Sequence, residues 1–595
     1  MRATPPDLRS DPGSKGAARL RWLALGLRVL GWSGALALGF HVGFEHEPME
    51  AALLASAVEA GLGAFAFDLL LRLWLAADRT AFVRPRLLEF ATYGLTGFAL
   101  VAVATVGDGA FASAAATLSD IALGIGAAAR VARRLADLGA LGMRVPTLVL
   151  GSFGGLVLLG ALALMLPASR GGARPIGFVD ATFQATSAVC VTGLATVNVG
   201  QDLSQFGQAV LLGLVQIGGV GIITFALLLT SFGRGGLNLR QLVAAREIVS
   251  GRWLGETRAI LYSVIAVTLT IELIGAALLY AITPVPPGPW SPGWFSLFHA
   301  VNAFCNAGFG LEISSLGAFD TQPLHLAVMG GLIVAGGLGF TTLVDCGRYL
   351  RATLVRMLHR VTQARGLPPP LPRLTLQARL AIALTLTLIL VGAFAIFLIE
   401  GRGALRGYSL SSQATISLFH SITPRTAGFT VVPIEAFHDS SCWIMIALMA
   451  IGGCPGSTAG GIKTVTFALL LASVLAILRG RESVEIGRRR LPFTTVTAAV
   501  AVATVYAGCV FVTTLALLLT DPQVPVRHVL FEAVSALSTV GLSYGITPNL
   551  SIGGKLVLCA AMFLGRVGPI TLAAVLSGKP RAASFEYPEE TVSIG

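Results

Sequence analysis

Four glycines stand in one pattern along this chain. Val191-Thr192-Gly193-Leu194, Asn306-Ala307-Gly308-Phe309, Thr426-Ala427-Gly428-Phe429 and Thr539-Val540-Gly541-Leu542 each set a small or polar pair before Gly and a bulky apolar residue after it. Cys305 precedes the second copy. The glycines recur at intervals of 113 to 120 residues, which marks a fourfold internal repeat. Gly reaches positive φ and tolerates close backbone approach, so the carbonyls of such a loop can all turn to one side. Inward carbonyls replace the water shell of a dehydrated cation. The chemistry on offer is therefore ion coordination by backbone oxygen, with no side-chain nucleophile, acid or base required.

The loops need elements to hold them. Each copy follows a short apolar segment carrying Phe nine or ten residues before the glycine: Phe183, Phe298, Phe419 and Phe531. Each precedes a second Gly-bearing apolar segment about 25 residues on: Gly218-Gly219, Gly336-Gly337, Gly452-Gly453 and Gly565. The unit reads helix, short helix, loop, helix. Short helices ending at the loops would aim their partly negative C-terminal ends at one point. The second glycines have two readings, as part of a path or as close-packing points between membrane helices.

Composition places these units in a bilayer. The chain has 595 residues, 54% hydrophobic and 12% charged, against about 25% charged in soluble domains. Mean hydropathy is +0.79, and runs of about 20 apolar residues recur. The apolar run after the basic start is too long for the core of a cleavable signal. Seven cysteines without C-x-x-C spacing suggest neither a disulfide framework nor a zinc site. The net charge of +12 is explained by where the arginines sit, without nucleic acid as a partner.

The expected organisation is a basic arm over 1–21 and a four-helix membrane region over 22–142. A first pore repeat over 143–232 follows, then a cytoplasmic loop with repeat 2 over 233–347, with repeat 3 over 348–478 and with repeat 4 over 479–577. A cytoplasmic tail covers 578–595. The connections are arginine-rich: Arg234 to Arg258, Arg348 to Arg373 and Arg479 to Arg490. The positive-inside rule puts them, and both termini, in the cytoplasm. Each repeat then begins and ends inside, its glycine loop dipping from outside between two full spans. Pro368 to Pro370 read as a stiff break between halves. Irregular backbone at membrane depth survives only where it is buried or lines a watery path, so four such loops read as walls of one hole. The expected fold is all-α, with four parallel repeats around a central pore and four extra N-terminal helices.

Gly452-Gly453-Cys454-Pro455-Gly456-Ser457-Thr458-Ala459-Gly460-Gly461-Ile462-Lys463-Thr464 cannot continue a regular helix. It is no Walker A loop, because Ile462 separates Gly461 from Lys463. Arg566 lies in an apolar run, where charge is costly and usually functional; snorkelling to the inner surface is the alternative for it and for Lys463. His299, His420 and Glu532 follow the Phe of three short helices and read as groups that pair behind the loops. Asp180 reads as the N-cap of the first short helix.

These residues resemble the Trk/Ktr/HKT superfamily of potassium transporters, and within it the bacterial Ktr and Trk pore subunits. The resemblance covers about 143–595. It is carried by Thr186 to Leu194, Gln216-Ile217-Gly218-Gly219-Val220-Gly221, Ala303 to Phe309, Thr423-Pro424-Arg425-Thr426-Ala427-Gly428-Phe429, Gly452 to Thr464, Gly565-Arg566-Val567-Gly568-Pro569 and Tyr587-Pro588-Glu589-Glu590. It implies potassium uptake through one filter built in a single subunit. The ion-binding residues would be Val191, Thr192, Gly193, Leu194, Cys305, Asn306, Ala307, Gly308, Thr426, Ala427, Gly428, Thr539, Val540 and Gly541. Gly at all four positions goes with potassium preference, while Cys305 and Ser538 depart from the commoner Asn and Gly. An intramembrane gate would comprise Gly453, Pro455, Gly456, Ser457, Thr458, Ala459, Gly460, Gly461 and Lys463, with Arg566 beside it. The resemblance also implies a bacterial inner-membrane location, a homodimer, a separate cytosolic nucleotide-binding ring, and potassium as substrate with no cofactor in this chain. Competing readings are sodium or unselective cation conduction by the same fold, an ion-coupled secondary transporter, and a membrane enzyme. Both ends of each repeat inside argue against the inverted repeats of the second. No His-x-x-x-His, Gly-x-Ser-x-Gly or paired carboxylates support the third.

The N-terminal helices lie outside that resemblance. Asp68, Arg72, Arg130, Arg133 and Arg134 faintly resemble a voltage-sensor bundle. Only two arginines keep a spacing of three, at the cytoplasmic end, so ordinary positive-inside anchoring is the expectation.

Overall fold

The computed structural model describes residues 15–44, 47–75, 145–172, 175–221, 257–361, 371–481, 483–486 and 489–568, with scattered helical residues between 79 and 130. The start of the basic arm, Gly124-Ile125, Arg133, Arg134, Arg234 to Arg252, Pro368 to Pro370, Pro569 and Tyr587 to Glu590 lie outside the described residues.

The chain is mostly helical. Lys15–Gly43 (α1) and Pro48–Leu75 (α2) pair near the N-terminus. Then one order recurs. Val145–Met165 (α3), Phe178–Cys190 (α4) and Gln205–Val220 (α5) form the first group, and Thr257–Ile282 (α6), Pro292–Cys305 (α7) and Pro323–Gly337 (α8) the second. Phe340–Val361 (α9) continues from α8 after a bend of 111°. Leu376–Glu400 (α10), Leu410–Ile422 (α11) and Asp439–Ala450 (α12) form the third group, resumed by Thr464–Leu478 (α13). Phe493–Thr520 (α14), Val526–Leu537 (α15) and Ile552–Val567 (α16) form the fourth. One departure from an all-α reading is a two-residue antiparallel ladder, Glu485–Ile486 against Arg489–Arg490, in the third connection.

Among the described residues five helices, α1, α2, α6, α10 and α14, are long and apolar enough to cross a membrane, and α8 with α9 makes a sixth if the bent pair is one span. The 12 to 14 residues of α4, α7, α11 and α15 rise only about 20 Å and cannot cross a core of about 30 Å. The third helices are also short, 16 residues in α5 and in α16.

Without water, helix ends need protein partners. Hydroxyls supply them: Ser204, Ser291, Thr375, Ser409 and Ser551 each accept a backbone N–H at the start of α5, α7, α10, α11 and α16. Buried carboxylates tie the first helix of a group to the third. Glu400 accepts from the His438 N–H at 2.9 Å and the Ser441 hydroxyl at 2.5 Å, and Asp521 accepts from the Ser551 N–H at 2.7 Å. Asp180 is not an N-cap. Gly177 holds that position, and Asp180 pairs with Lys555 at 2.8 Å, joining α4 to α16.

The groups close on themselves. Each short helix packs on the third helix of the group before it: α7 on α5, α11 on α8, α15 on α12, and α4 on α16. The last of these contacts is an apolar seam of Phe183, Cys190 and Leu194 with Leu558, Ala561 and Met562.

The Arg130 side chain is only 13% exposed and lies among Phe65, Glu89 and Tyr93.

Candidate functional site

A residue of positive φ follows each short helix: Val191 (58°) and Asn306 (61°) cap α4 and α7, while Thr426 (76°) and Thr539 (50°) come after the right-handed ends of α11 and α15 at Thr423 and Ser538. Two residues later the glycine is positive again: Gly193 (94°), Gly308 (72°), Gly428 (78°) and Gly541 (94°). The single intervening residues are Thr192, Ala307, Ala427 and Val540. In three loops the intervening N–H returns to the short helix five residues back at 2.8 Å: Thr192 to Ser187 O, Ala307 to Asn302 O and Val540 to Ser535 O. The third loop differs because Pro424 follows Thr423, and Ala427 bonds Thr423 O instead, at 2.9 Å. The Ser187 and Ser535 hydroxyls accept from the Gly193 and Gly541 N–H at 3.0 and 3.1 Å.

The four loops meet in a closed ring. A Cβ on Gly193 would fall on the Ala307 carbonyl oxygen, and one on Gly308 would stand 2.7 Å from Ala427 O. On Gly428 it would fall on Val540 O, and on Gly541 on Thr192 O. Chain order is kept and the fourth loop closes on the first. The surrounding residues Val191, Leu194, Cys305, Asn306, Thr426 and Thr539 are buried, while Gly193, Gly308 and Gly541 keep partial exposure.

Polar groups buttress the ring from behind. His299 Nδ1 bonds Phe295 O at 2.9 Å; His420 Nε2 accepts from the Val431 and Val432 N–H at 3.4 and 3.2 Å. Glu532 accepts from the Ser543 and Thr547 hydroxyls. Cys305 donates toward Gln216 and Glu272 at 3.5 and 3.6 Å, and Ser538 pairs with the Tyr506 hydroxyl at 2.5 Å.

The second glycines are close-packing points. A Cβ on Gly218, Gly336 or Gly565 would fall on the carbonyl of Val189, Phe304 or Leu537, each four residues before a loop glycine. Gly452 differs, facing Gly460. Gly336→Ala is expected to overpack this contact at a cost of about 1–3 kcal/mol. Gly331→Ala on the same helix faces open space and should be neutral. Thermal unfolding of the detergent-solubilised variants checks this, and equal melting temperatures would refute it.

Residues 451–463 leave the helical path between α12 and α13. The excursion is pinched at its base, where Ile451 bridges Ile462 and the Thr464 N–H reaches Gly453 O at 3.0 Å. Gly456 and Gly461 take φ of 71° and 65°. The excursion docks on the break between α8 and α9. The Cys454 N–H donates to Gly337 O at 2.9 Å and the Phe340 N–H to Gly456 O at 3.0 Å, while Pro455 O lies against Gly339. At its other side a Cβ on Gly460 would stand 2.5 Å from Ser538 O, at the end of α15. The Ser457 hydroxyl accepts from the Ala459 N–H at 3.2 Å.

Three cations surround this excursion, held by backbone carbonyls. Arg566 donates to Thr458 O and Gly218 O, linking the excursion to α5 and α16. Lys463 donates to Ala459 O at 2.6 Å, so it turns into the excursion instead of reaching for a surface. Arg425 is buried, with Nη2 to Gly452 O at 3.3 Å and Nη1 to Thr385 O at 3.5 Å. Its sequence position beside Thr426 hinted at the ring, but nothing in the sequence pointed to Gly452 as its partner.

A family model described as TrkH, cation transport protein, matches residues 158–587. The Ktr system potassium uptake protein B of Bacillus subtilis (strain 168) is 35% identical over 442 residues, covering 74% of this chain and 94% of the relative. The protein of that name from Vibrio alginolyticus is 36% identical, covering 76% and 95%. The potassium/sodium uptake protein NtpJ of Enterococcus hirae is 33% identical, covering 75% and 96%. Among solved structures, the potassium transporter TrkH of Vibrio parahaemolyticus superposes with a TM-score of 0.59 at 18% identity, covering 83% of this chain and 98% of that one. The match spans well over half the chain, and the protein belongs to the TrkH family of cation transport proteins.

Proposed function

We propose that this chain carries potassium into the cell through a path lined by the four glycine loops. The observation that carries this reading is the closed ring of Gly193, Gly308, Gly428 and Gly541 against the carbonyls of Ala307, Ala427, Val540 and Thr192. Such a ring offers a bare cation backbone oxygens in place of water. The names of the relatives from B. subtilis and V. alginolyticus, both potassium uptake proteins, support potassium as the ion. Four repeats surround the path, and residues 452–463 with Lys463 and Arg566 form its gate. Both termini lie in the cytoplasm of a bacterial inner-membrane protein. A homodimer served by a cytosolic nucleotide-binding ring would complete the system.

The test is uptake of radioactive rubidium into liposomes containing the purified chain, driven by membrane potential alone. Excess external potassium should abolish uptake and equal sodium should leave most of it. Equal competition by sodium would replace this reading with unselective cation conduction. Uptake that requires a sodium or proton gradient would replace it with coupled transport.

A further inference from the structure

The residues three places before the ring glycines are Cys190, Cys305, Arg425 and Ser538. Three of them reach the first helix of their own group with a side chain. Arg425 donates to Thr385 O of α10 at 3.5 Å, Ser538 pairs with the Tyr506 hydroxyl of α14 at 2.5 Å, and Cys305 donates toward the Glu272 carboxylate of α6 at 3.6 Å. Cys190 lies instead in the apolar seam between α4 and α16. The second loop therefore differs from the third and fourth in resting on an acid.

Glu272 stands at the middle of the apolar span Ser263–Ile282 and is buried. A carboxylate at that depth is costly and usually functional. Its two donors are neutral. Gln216 of α5 gives its Nε2 at 3.0 Å, and the thiol of Cys305, at the end of α7, gives the other bond. Cys305 Sγ also lies 3.5 Å from Gln216 Oε1, so three side chains from three helices close a triangle. Gly219 leaves the space for it, since a Cβ there would stand 2.5 Å from Cys305 Sγ. An apolar side chain would fill this site without the cost of burying a charge. What the acid adds is direction, because its bond sets where the last residue of α7 lies. Asn306 then turns at φ of 61°, and Ala307 presents the carbonyl that Gly193 meets. One hydrogen bond and two residues of chain separate Glu272 from that carbonyl.

We infer that Glu272 is a positioning residue for ion selection: held by Gln216, it fixes Cys305 and through it the Ala307 carbonyl of the ring. This rests on the glycine loops being the ion path. Gln216 belongs to the first group and Glu272 to the second, so the triangle also holds the joint across which Gly193 meets Ala307. Losing a hydrogen bond that keeps one ring carbonyl in place changes the preference between two ions by about 3- to 10-fold.

The experiment measures rubidium uptake by the full chain in liposomes under competition by potassium and by sodium. Glu272→Leu should lower the preference for potassium over sodium by about 3- to 10-fold. Glu272→Gln keeps an acceptor oxygen and should stay within about twofold of the parent. In a Cys305→Ala background Glu272→Leu should change the preference by less than about twofold, because residues that act through one another are not additive. Infrared absorption in the S–H stretching region gives a readout without transport. The band identified by its loss in Cys305→Ala should move to higher frequency in Glu272→Leu. Equal loss of potassium and sodium transport in Glu272→Leu, with a parental preference, would mean that Glu272 only packs helices, and overturns the inference. So does a Glu272→Gln as impaired as Glu272→Leu, full additivity with Cys305→Ala, or an unmoved S–H band. If Glu272→Leu does not reach the membrane, Gln216→Leu, which removes the donor that holds the acid, decides on the same ratio, and an unchanged one is fatal. A parent that does not discriminate between the ions overturns the proposed path and this inference together, whereas a discriminating parent with an equally discriminating Glu272→Leu overturns this inference alone.

Discussion

Gly193→Ser is expected to reduce the potassium-to-sodium permeability ratio by tenfold or more. Two causes act together. At φ of 94° the backbone lies beyond the small left-handed region open to L-residues, so any side chain is strained there. The added Cβ would also land on the Ala307 carbonyl oxygen. That oxygen belongs to the next loop in the ring, so relief of the clash must move a neighbouring loop as well as the mutated one. Overpacking of this kind costs about 1–3 kcal/mol, and each 1.4 kcal/mol that falls on one ion's site is about tenfold in its occupancy. A distorted ring no longer presents its carbonyls where they replace the water shell of potassium, so potassium loses the advantage that the intact ring gives it. Gly213→Ser, on α5 with open space at its Cβ, controls for the substitution itself. Bi-ionic reversal potentials, or rubidium uptake under sodium competition, read the ratio. A parental ratio in a folded Gly193→Ser protein would remove this loop from the ion path.

The ring glycines were legible in the sequence because their requirement is local. A loop that takes positive φ beyond a short helix and again at a glycine two residues later leaves a signature of Gly between small and apolar neighbours, four times at near-equal spacing. The break after Ala450 was legible for the same reason, since Gly, Pro and Ser cluster within it. What depends on partners distant along the chain was not legible. Arg425 bonds Gly452 O, 27 residues away, and Arg566 bonds Thr458 O, 108 residues away. Asp180 reads as a helix cap until Lys555, 375 residues on, is placed beside it. The 111° bend between α8 and α9 rests on Leu338-Gly339, a pair too common in apolar helices to mark a corner. Its cause is the docked excursion, whose Gly456 O takes the Phe340 N–H. The neighbours of Arg130 were not legible for the same reason, since Tyr93 and Phe65 lie 37 and 65 residues away along the chain.

Arg566→Gln is expected to raise potassium flux several-fold or more in the absence of any cytosolic partner, with selectivity retained. The guanidinium donates to Thr458 O in the 452–463 excursion and to Gly218 O on α5, so one side chain on α16 holds the excursion against two of the four groups. Hydrogen bonds from a charged donor are worth about 1.5–3 kcal/mol each. If the bond to Thr458 exists only while the excursion lies across the path, its loss shifts the balance toward the open arrangement by about 10- to 100-fold. Removing positive charge beneath the ring also lowers the repulsion that an entering cation meets. Lys463 and Arg425 stay in place, so some repulsion persists and the increase should fall short of that bound. Deleting Ser457 to Gly460 removes both the acceptor carbonyl of Thr458 and the approach of Gly460 to Ser538, and should raise flux further. Arg566→Gln replaces no residue of the glycine loops, so sodium competition should remain at its parental level in that variant. Rubidium uptake into liposomes, normalised to folded protein, reads both. Parental flux in both variants would mean that the excursion does not obstruct the path, and that Arg566 serves only to pack α16 against its neighbours.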